Sequence, residues 1–319
     1  MKRLKEIFYS LSAINLTIVL FLFFLSVVDI AYITRIPRWW EILLYNLGIF
    51  AFIFFVTYEE KNKRKKIYTI LQYSYLPVMI FSVFKELYFM TDPINGVIYD
   101  WYLIDFDKAL FGVHPTYVLY KIANPLLTEI LQLAYSSYYF LPIILGVELI
   151  KRGEKEKADY MLFMVFYGFF LSYLGYLTVP AIGPRFTLHD FSKLNSELPG
   201  LFFTDFLREQ INAGEGVLKN TLFPILSVQR DAFPSGHTEV TLIVMYFAIK
   251  FKAVSRYFII PIGILLIFAT VYLRYHYVVD LIAGTLFMIY TIWSGKYLFE
   301  AWDNLRHKKT TFAKDDQTR

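Results

Sequence analysis

Apolar residues along this 319-residue chain gather in long blocks, and eight of these read as membrane-spanning helices: about 11–33, 41–58, 67–90, 128–150, 159–180, 236–250, 257–274 and 278–299. A helix needs roughly 20 mostly apolar residues to cross about 30 Å of hydrocarbon, and some of the eight are shorter than that. The first block follows Lys2, Arg3 and Lys5, as a secretory signal would. Its apolar run is too long for one and no small-x-small cleavage site follows, so it reads as a retained anchor.

The polar stretches between the blocks orient them. Lysine and arginine favour short cytoplasmic loops. The "EEKNKRKK" loop after the second block holds Lys61, Lys63, Arg64, Lys65 and Lys66, and "KRGEKEK" follows the fourth. Lys250, Lys252 and Arg256 follow the sixth, and the tail adds Lys296, Arg306, Lys308, Lys309, Lys314 and Arg319. All fall on one side if the chain crosses eight times with both termini cytoplasmic. Two long segments, about 91–127 and 181–235, then lie on the extracytoplasmic side. The first holds Asp92, Asp100, Asp105, Asp107 and "LFGVHP"; within the second, Thr204 and "DFLREQINAG" read as a short capped helix stopped by Gly214. The expected fold is therefore an all-α polytopic membrane bundle of about eight transmembrane helices. Its expected divisions are N-terminal spans with an outer loop (1–127), a catalytic bundle (128–300) and a cytoplasmic tail (301–319).

Composition strengthens this reading. The chain is 57% apolar and 20% aromatic, more than a water-soluble domain of this size could bury. It has no cysteine, which removes thiol catalysis, iron–sulfur ligation and thiolate zinc sites. The net charge of +5 is accounted for by the loop lysines and arginines, which leaves no role for nucleic acid. The absence of an inverted repeat and of paired broken helices at mid-membrane argues against a transporter, the non-enzymatic alternative.

Candidate chemistry sits at three places. "FPSGHTEV" opens the sixth block: Pro234 and Gly236 permit a tight turn, the first free N–H groups of a helix follow, and His237 stands at its mouth. Such a helix start is an anion site. In "YLRYHYVVDLIAG", His276 and Asp280 are four residues apart and share a helix face. A carboxylate there can accept one imidazole N–H, fix the tautomer and leave the other nitrogen as a nucleophile. Topological parity returns His276 to the face where His237 starts, and the fifth block delivers Arg185 of "VPAIGPRF" to it, a planar fork suited to phosphate. Together these form a phosphoryl-transfer constellation. A rival reading takes His237, His276 and Asp280 as a two-histidine, one-carboxylate metal centre. Of the remaining candidates, Lys85 and Glu86 read mainly as interfacial or locally paired residues. His189 and Asp190 read as a solvated loop pair, His114 as a turn residue, and His307 as cytoplasmic.

"GPRF", "PSGH" and the His276–Asp280 pair resemble the three signature motifs of the type 2 phosphatidic acid phosphatase superfamily, integral-membrane, metal-independent enzymes related to vanadium haloperoxidases. The resemblance covers about residues 160–290. It implies that His276 attacks phosphorus and forms a phosphohistidine, that His237 protonates the leaving alkoxide, and that Asp280 orients His276. Arg185, Ser235 and the Gly236 backbone would hold the phosphoryl oxygens, with no metal and no cofactor. The usual lysine seven residues before the arginine is Thr178 here, and the usual arginine six before the nucleophilic histidine is Thr270. Arg274 or Lys85 could stand in for them. The ending "HYVVDLIAG" and the early "DFDKALFG" are similar to the inositol phosphorylceramide synthase branch. The expectation is a lipid phosphate phosphatase with its site at the extracytoplasmic face of the plasma (inner) membrane, acting on a membrane lipid phosphate. Head-group transfer to a lipid alcohol is the alternative.

Overall fold

A computed structural model describes residues 6–63 and 66–315. Lys2, Arg3, Lys5, Arg64, Lys65 and Arg319, counted above for topology, lie outside them; so do the side chains of Lys66, His307, Lys308, Lys309 and Lys314.

Every apolar block becomes helix, and the described residues contain no strand. The first half of the chain forms α1 (Ala13–Ala31), α2 (Trp39–Lys63), α3 (Lys66–Ser74), α4 (Leu76–Ile94), α5 (Asp100–Phe111), α6 (Pro115–Tyr120), α7 (Pro125–Ser136) and α8 (Phe140–Lys151). Then come α9 (Lys155–Thr178), the short α10 (Pro184–Thr187) and α11 (Leu194–Glu197), α12 (Thr204–Gly214), the short α13 (Pro224–Ser227), α14 (Gly236–Lys250), α15 (Arg256–Tyr272) and α16 (Val278–Asp315).

The chain is thus an all-helical polytopic membrane protein. By length and apolarity alone, four helices can span: α1, α2, α9 and the Val278–Arg306 part of α16. The pair α7 and α8, bent by 53°, makes a possible fifth. The expected eight fall to this number for local reasons. The block 67–90 breaks at Tyr75, just before Pro77, and α4 carries Lys85, Glu86 and Asp92. Helices α14 and α15 have only 15 and 17 residues, about 22 and 25 Å at 1.5 Å per residue.

The short α14 sits centrally, packed against α9, α15 and α16. Val240, Ile243, Val244 and Phe247 of its buried surface join Phe166 and Phe170 of α9 in the main core. Its one buried acid, Glu239, accepts from Ser172 of α9 and, at 2.8 Å, from Thr291 of α16. That contact ties three helices together just inside the "PSGH" turn.

Candidate active site

At the head of α14, the Ser235 Oγ accepts from the Thr238 amide at 3.2 Å and from the Thr238 hydroxyl at 3.1 Å. The side chain expected to touch phosphate is therefore the N-cap, the usual task of a serine there. The Ser235 amide donates to the Asp280 carbonyl at 3.0 Å, and the Gly236 carbonyl accepts from Tyr138 at 2.9 Å. His237 is clasped between Tyr135 and Tyr138, with ring centroids 4.6 and 4.3 Å away, and meets His276 at 5.6 Å.

His276 lies in the turn between α15 and α16, its amide bonded to the Thr270 carbonyl at 3.0 Å. The Nδ1 faces two acceptors, the Ala232 carbonyl at 2.8 Å and Asp280 at 3.3 Å. Two acceptors require Nδ1 to carry the proton, so Nε2 holds the lone pair. Asp280 was expected to fix this tautomer alone; the nearer partner is the carbonyl three residues before Ser235. Asp280 spends its shorter bond, 2.9 Å, on the Tyr277 amide. Burial pushes the His276 pKa down to about 4, with Arg185 acting the same way and Asp231 opposing it.

The helix α5 braces this turn from a remote part of the chain. Asp107 accepts from the Val278 and Val279 amides at 2.9 and 2.8 Å and so caps α16. Two turns earlier on the same face of α5, Asp100 accepts from the Ile182 and Gly183 amides and from the Tyr277 hydroxyl at 2.8 Å. One short helix thereby fixes both the "GPRF" loop and the histidine turn.

Gly183 has φ +86, and a β-carbon there would lie 2.4 Å from the Tyr275 carbonyl oxygen. The two loops touch backbone to backbone, with the Arg185 amide bonded to the Arg274 carbonyl at 3.0 Å. In the same way Gly284, the last residue of "HYVVDLIAG", lets α16 press on the Ser235 carbonyl, which a β-carbon would approach to 2.5 Å. The buried Arg185 guanidinium lies over Tyr275, 4.5 Å from the ring centroid, donates to Asn212 at 2.9 Å and pairs with Glu215. Both partners come from α12 and its end.

A cavity of about 290 Å³ opens here, lined by His237, Asp231, Glu215 and a wall of rings that includes Tyr135, Tyr138 and Tyr176. Burial raises the Asp231 pKa to about 6, against the pull of His276 and Arg185. The two stand-in bases part company. Arg274 pairs with Glu197 and covers the Tyr120 ring at 5.2 Å; of the expected site residues only His237 lines the cavity itself, while His276, Arg185, Ser235 and Arg274 lie behind its wall. Lys85 reaches the carbonyl of cavity-lining Gly214 and lies within electrostatic range of Asp231.

The remaining candidates divide. Asp190 is exposed as expected, but His189 is half-buried: it bonds Thr116 at 2.9 Å and packs its ring on Tyr117, and burial lowers its pKa to about 3. Asp190 caps the following turn through the Ser192 amide and hydroxyl, while His114 precedes α6. The cap of α12 comes from Glu129 of α7, which takes the amides of Leu201, Phe202, Phe203 and Thr204 together with the Thr204 hydroxyl. Asp100 and Asp107 were marked only as acids of the first outer loop, Asp107 within "DFDKALFG", and Glu129, Glu215 and Asp231 carry no motif spacing that would have marked them. Among the described residues, no three His, Asp or Glu side chains converge as metal ligands.

Helices long and apolar enough to cross a membrane, with two histidines and a buried arginine gathered at one end of the bundle, define a class of integral-membrane protein. The chain belongs to the PAP2 superfamily, whose sequence model matches residues 101–294. It is also similar to a PA-phosphatase related-family protein of Dictyostelium discoideum, 28% identical over 189 residues, which cover 53% of this chain and 32% of that protein. The chain thus spans about a third of that relative's length. No solved structure matches it.

Proposed function

We propose that this protein is a metal-independent lipid phosphate phosphatase acting through a phosphohistidine at the extracytoplasmic face. The observation that carries the reading is the His276 ring: its Nδ1–H is held by the Ala232 carbonyl, which leaves Nε2 free to attack phosphorus. In the first step the Nε2–P bond forms, the P–O bond to the lipid breaks, and His237 protonates the departing alkoxide. In the second, His237 takes a proton from water, the water oxygen attacks phosphorus, and the N–P bond breaks to release phosphate. Arg185 and the amides at the start of α14 would stabilise the equatorial oxygens.

Head-group transfer, in which a lipid alcohol replaces water in the second step, is the second reading, supported by the likeness of "HYVVDLIAG" to the synthase branch. The test is phosphate release by purified protein across a panel of phosphatidic acid, polyprenyl diphosphate and phosphatidylglycerol phosphate, with EDTA present and His276→Ala as control. Release that survives EDTA and vanishes in the variant supports the hydrolase. Loss with EDTA in the wild type overturns metal independence. Product formed only when a phospholipid donor and a lipid alcohol are both supplied favours transfer.

A further inference from the structure

Residues 214–229 leave the end of α12, fold back on themselves and return toward "PSGH". The base of this excursion is closed, because the Gln229 amide donates to the Glu215 carbonyl at 2.9 Å. Three further bonds pin it to the side of α4. Tyr88 donates to the Ser227 carbonyl and the Gln229 side chain to the Phe84 carbonyl, both at 2.9 Å, and Lys85 reaches the Gly214 carbonyl. Beyond this fixed base the chain reads Leu222-Phe223-Pro224-Ile225-Leu226, and its side chains point outward. Leu222 is 87% exposed, Leu226 78% and Phe223 66%.

Five consecutive apolar residues, four of them exposed and only Pro224 half-buried, are not a water-facing loop, since water would be ordered against their rings and methyl groups. The surface they join is also apolar: α4, to which the base is pinned, bares Val78, Phe81 and Phe89 on its outer side. A second patch lies at the other end of α12, where Phe202 is 83% exposed beside Phe203 and Phe206. The polar turn Lys219-Asn220-Thr221 separates Leu218 from the apolar run, and Lys219 pairs back to Glu209 of α12 at 3.4 Å. Lysine at such a boundary suits head-group depth, with apolar neighbours below it.

We propose that Leu222–Leu226 is a strap inserted into the lipid leaflet on which the catalytic cavity opens, with Phe202, Phe203 and Phe206 as a second point of insertion. The occupant of this apolar surface is the acyl region of the bilayer, because the base of the strap is bonded to α4, whose exposed Val78 and Phe89 are likewise uncovered in this all-helical membrane protein. Leu207, Ile211 and Gly214 of α12 line the cavity, so the wall between site and lipid is fastened to the leaflet at both ends. The inference rests on membrane placement and is independent of the catalytic roles proposed above.

The natural absence of cysteine makes the test direct. Leu222→Cys, Leu226→Cys, Phe202→Cys and Lys219→Cys, each carrying an environment-sensitive fluorophore, are reconstituted in phosphatidylcholine liposomes with and without doxyl-labelled lipid. Size-exclusion profiles matching wild type establish folding of each variant. The expected result is strong quenching by doxyl lipid and protection from aqueous iodide at positions 222, 226 and 202, with iodide access at 219. Iodide quenching at 222 and 226 equal to that at 219 overturns the proposal. Protection from both quenchers overturns it as well, because a protein partner or a second copy would then cover the strap. No turnover enters the readout, so its failure is separable from failure of the phosphatase reading.

Discussion

In the half of the molecule that carries the candidate site, Asp100, Asp107 and Glu129 each gather two or more backbone amides. In the N-terminal helices, Asp29 is buried in α1 with no donor to either oxygen among the described residues, and one oxygen of Glu86 in α4 is in the same position. Glu86 does accept from Asn46 at 2.9 Å. The difference follows from the backbone around each acid. The helices α1, α2 and α4 use their N–H groups within their own turns, so a carboxylate between them meets none. The half that carries the candidate site contains irregular loops and fresh helix starts, whose amides need acceptors when buried. There a carboxylate on a rigid helix both satisfies the loop and sets its position. Buried acids thus act as fasteners in one region, and in the other are polar groups set between helices.

The comparison can be broken at several points. The largest expected effect is at the histidine turn itself: His276→Ala should lower turnover by about a thousandfold or more while leaving helical content and membrane insertion intact. A variant that keeps most of its phosphate release would refute the nucleophile assignment. Arg185→Lys should lose about a hundredfold in kcat/KM, since a point charge cannot reproduce the two-pronged fork; equal activity would remove Arg185 from the site.

Asp107→Asn tests the fastener idea. Weakening the cap on Val278 and Val279 should cost about 1–3 kcal/mol of stability and lower kcat more than it raises KM, because His276 sits at the end of that turn. An unchanged melting temperature would mean that the carboxylate is dispensable there. A milder effect concerns pH. His276 must be neutral to attack, and burial holds its pKa at about 4. Its limb in kcat/KM should therefore fall as pH drops through about 4, and rates should be insensitive to this group near 6.5. A His276-dependent limb near 6.5 would show that the ring is solvated. The smallest effect is expected for Asp29→Asn, with activity unchanged and stability within about 0.5 kcal/mol or slightly higher, because the replaced charge has no partner to lose. A dead Asp29→Asn variant would erase the distinction between the two regions.

Much of this was legible in the sequence. Apolar blocks marked every long helix, since hydropathy reports what must leave water. It does not report where a helix bends: Tyr75 and the Ser137–Tyr139 corner sit inside blocks that read as single spans, with only Ser74 and Pro77 at the first and Ser136, Ser137 and Pro142 at the second to hint at a break. "PSGH", "GPRF" and the His276–Asp280 pair were readable because each depends on local spacing. The residues that hold them in register were not. Asp107 is 171 positions from the amide it caps, and Glu129 lies 72 positions from Leu201. A single carboxylate at that distance has no periodicity to betray it. The two candidate stand-ins for a missing basic motif residue separate only in three dimensions: Lys85 bonds the carbonyl of cavity-lining Gly214 through helix packing, whereas Arg274, one turn along from Thr270, is taken by Glu197.

The pairing of Arg185 with Glu215 bears on turnover in the proposed reaction. A guanidinium buried this deeply is never left bare, because the chain keeps its own anion at hand. Arrival of a phosphorylated lipid is then an exchange, carboxylate out and phosphate in, and release is the same exchange reversed. In that proposed reaction the apparent affinity for any phosphoryl group is the difference between two anions competing for one fork, and the cost of displacing Glu215 falls equally on substrate, transition state and product, so it sets how readily the site empties rather than how fast the bond breaks.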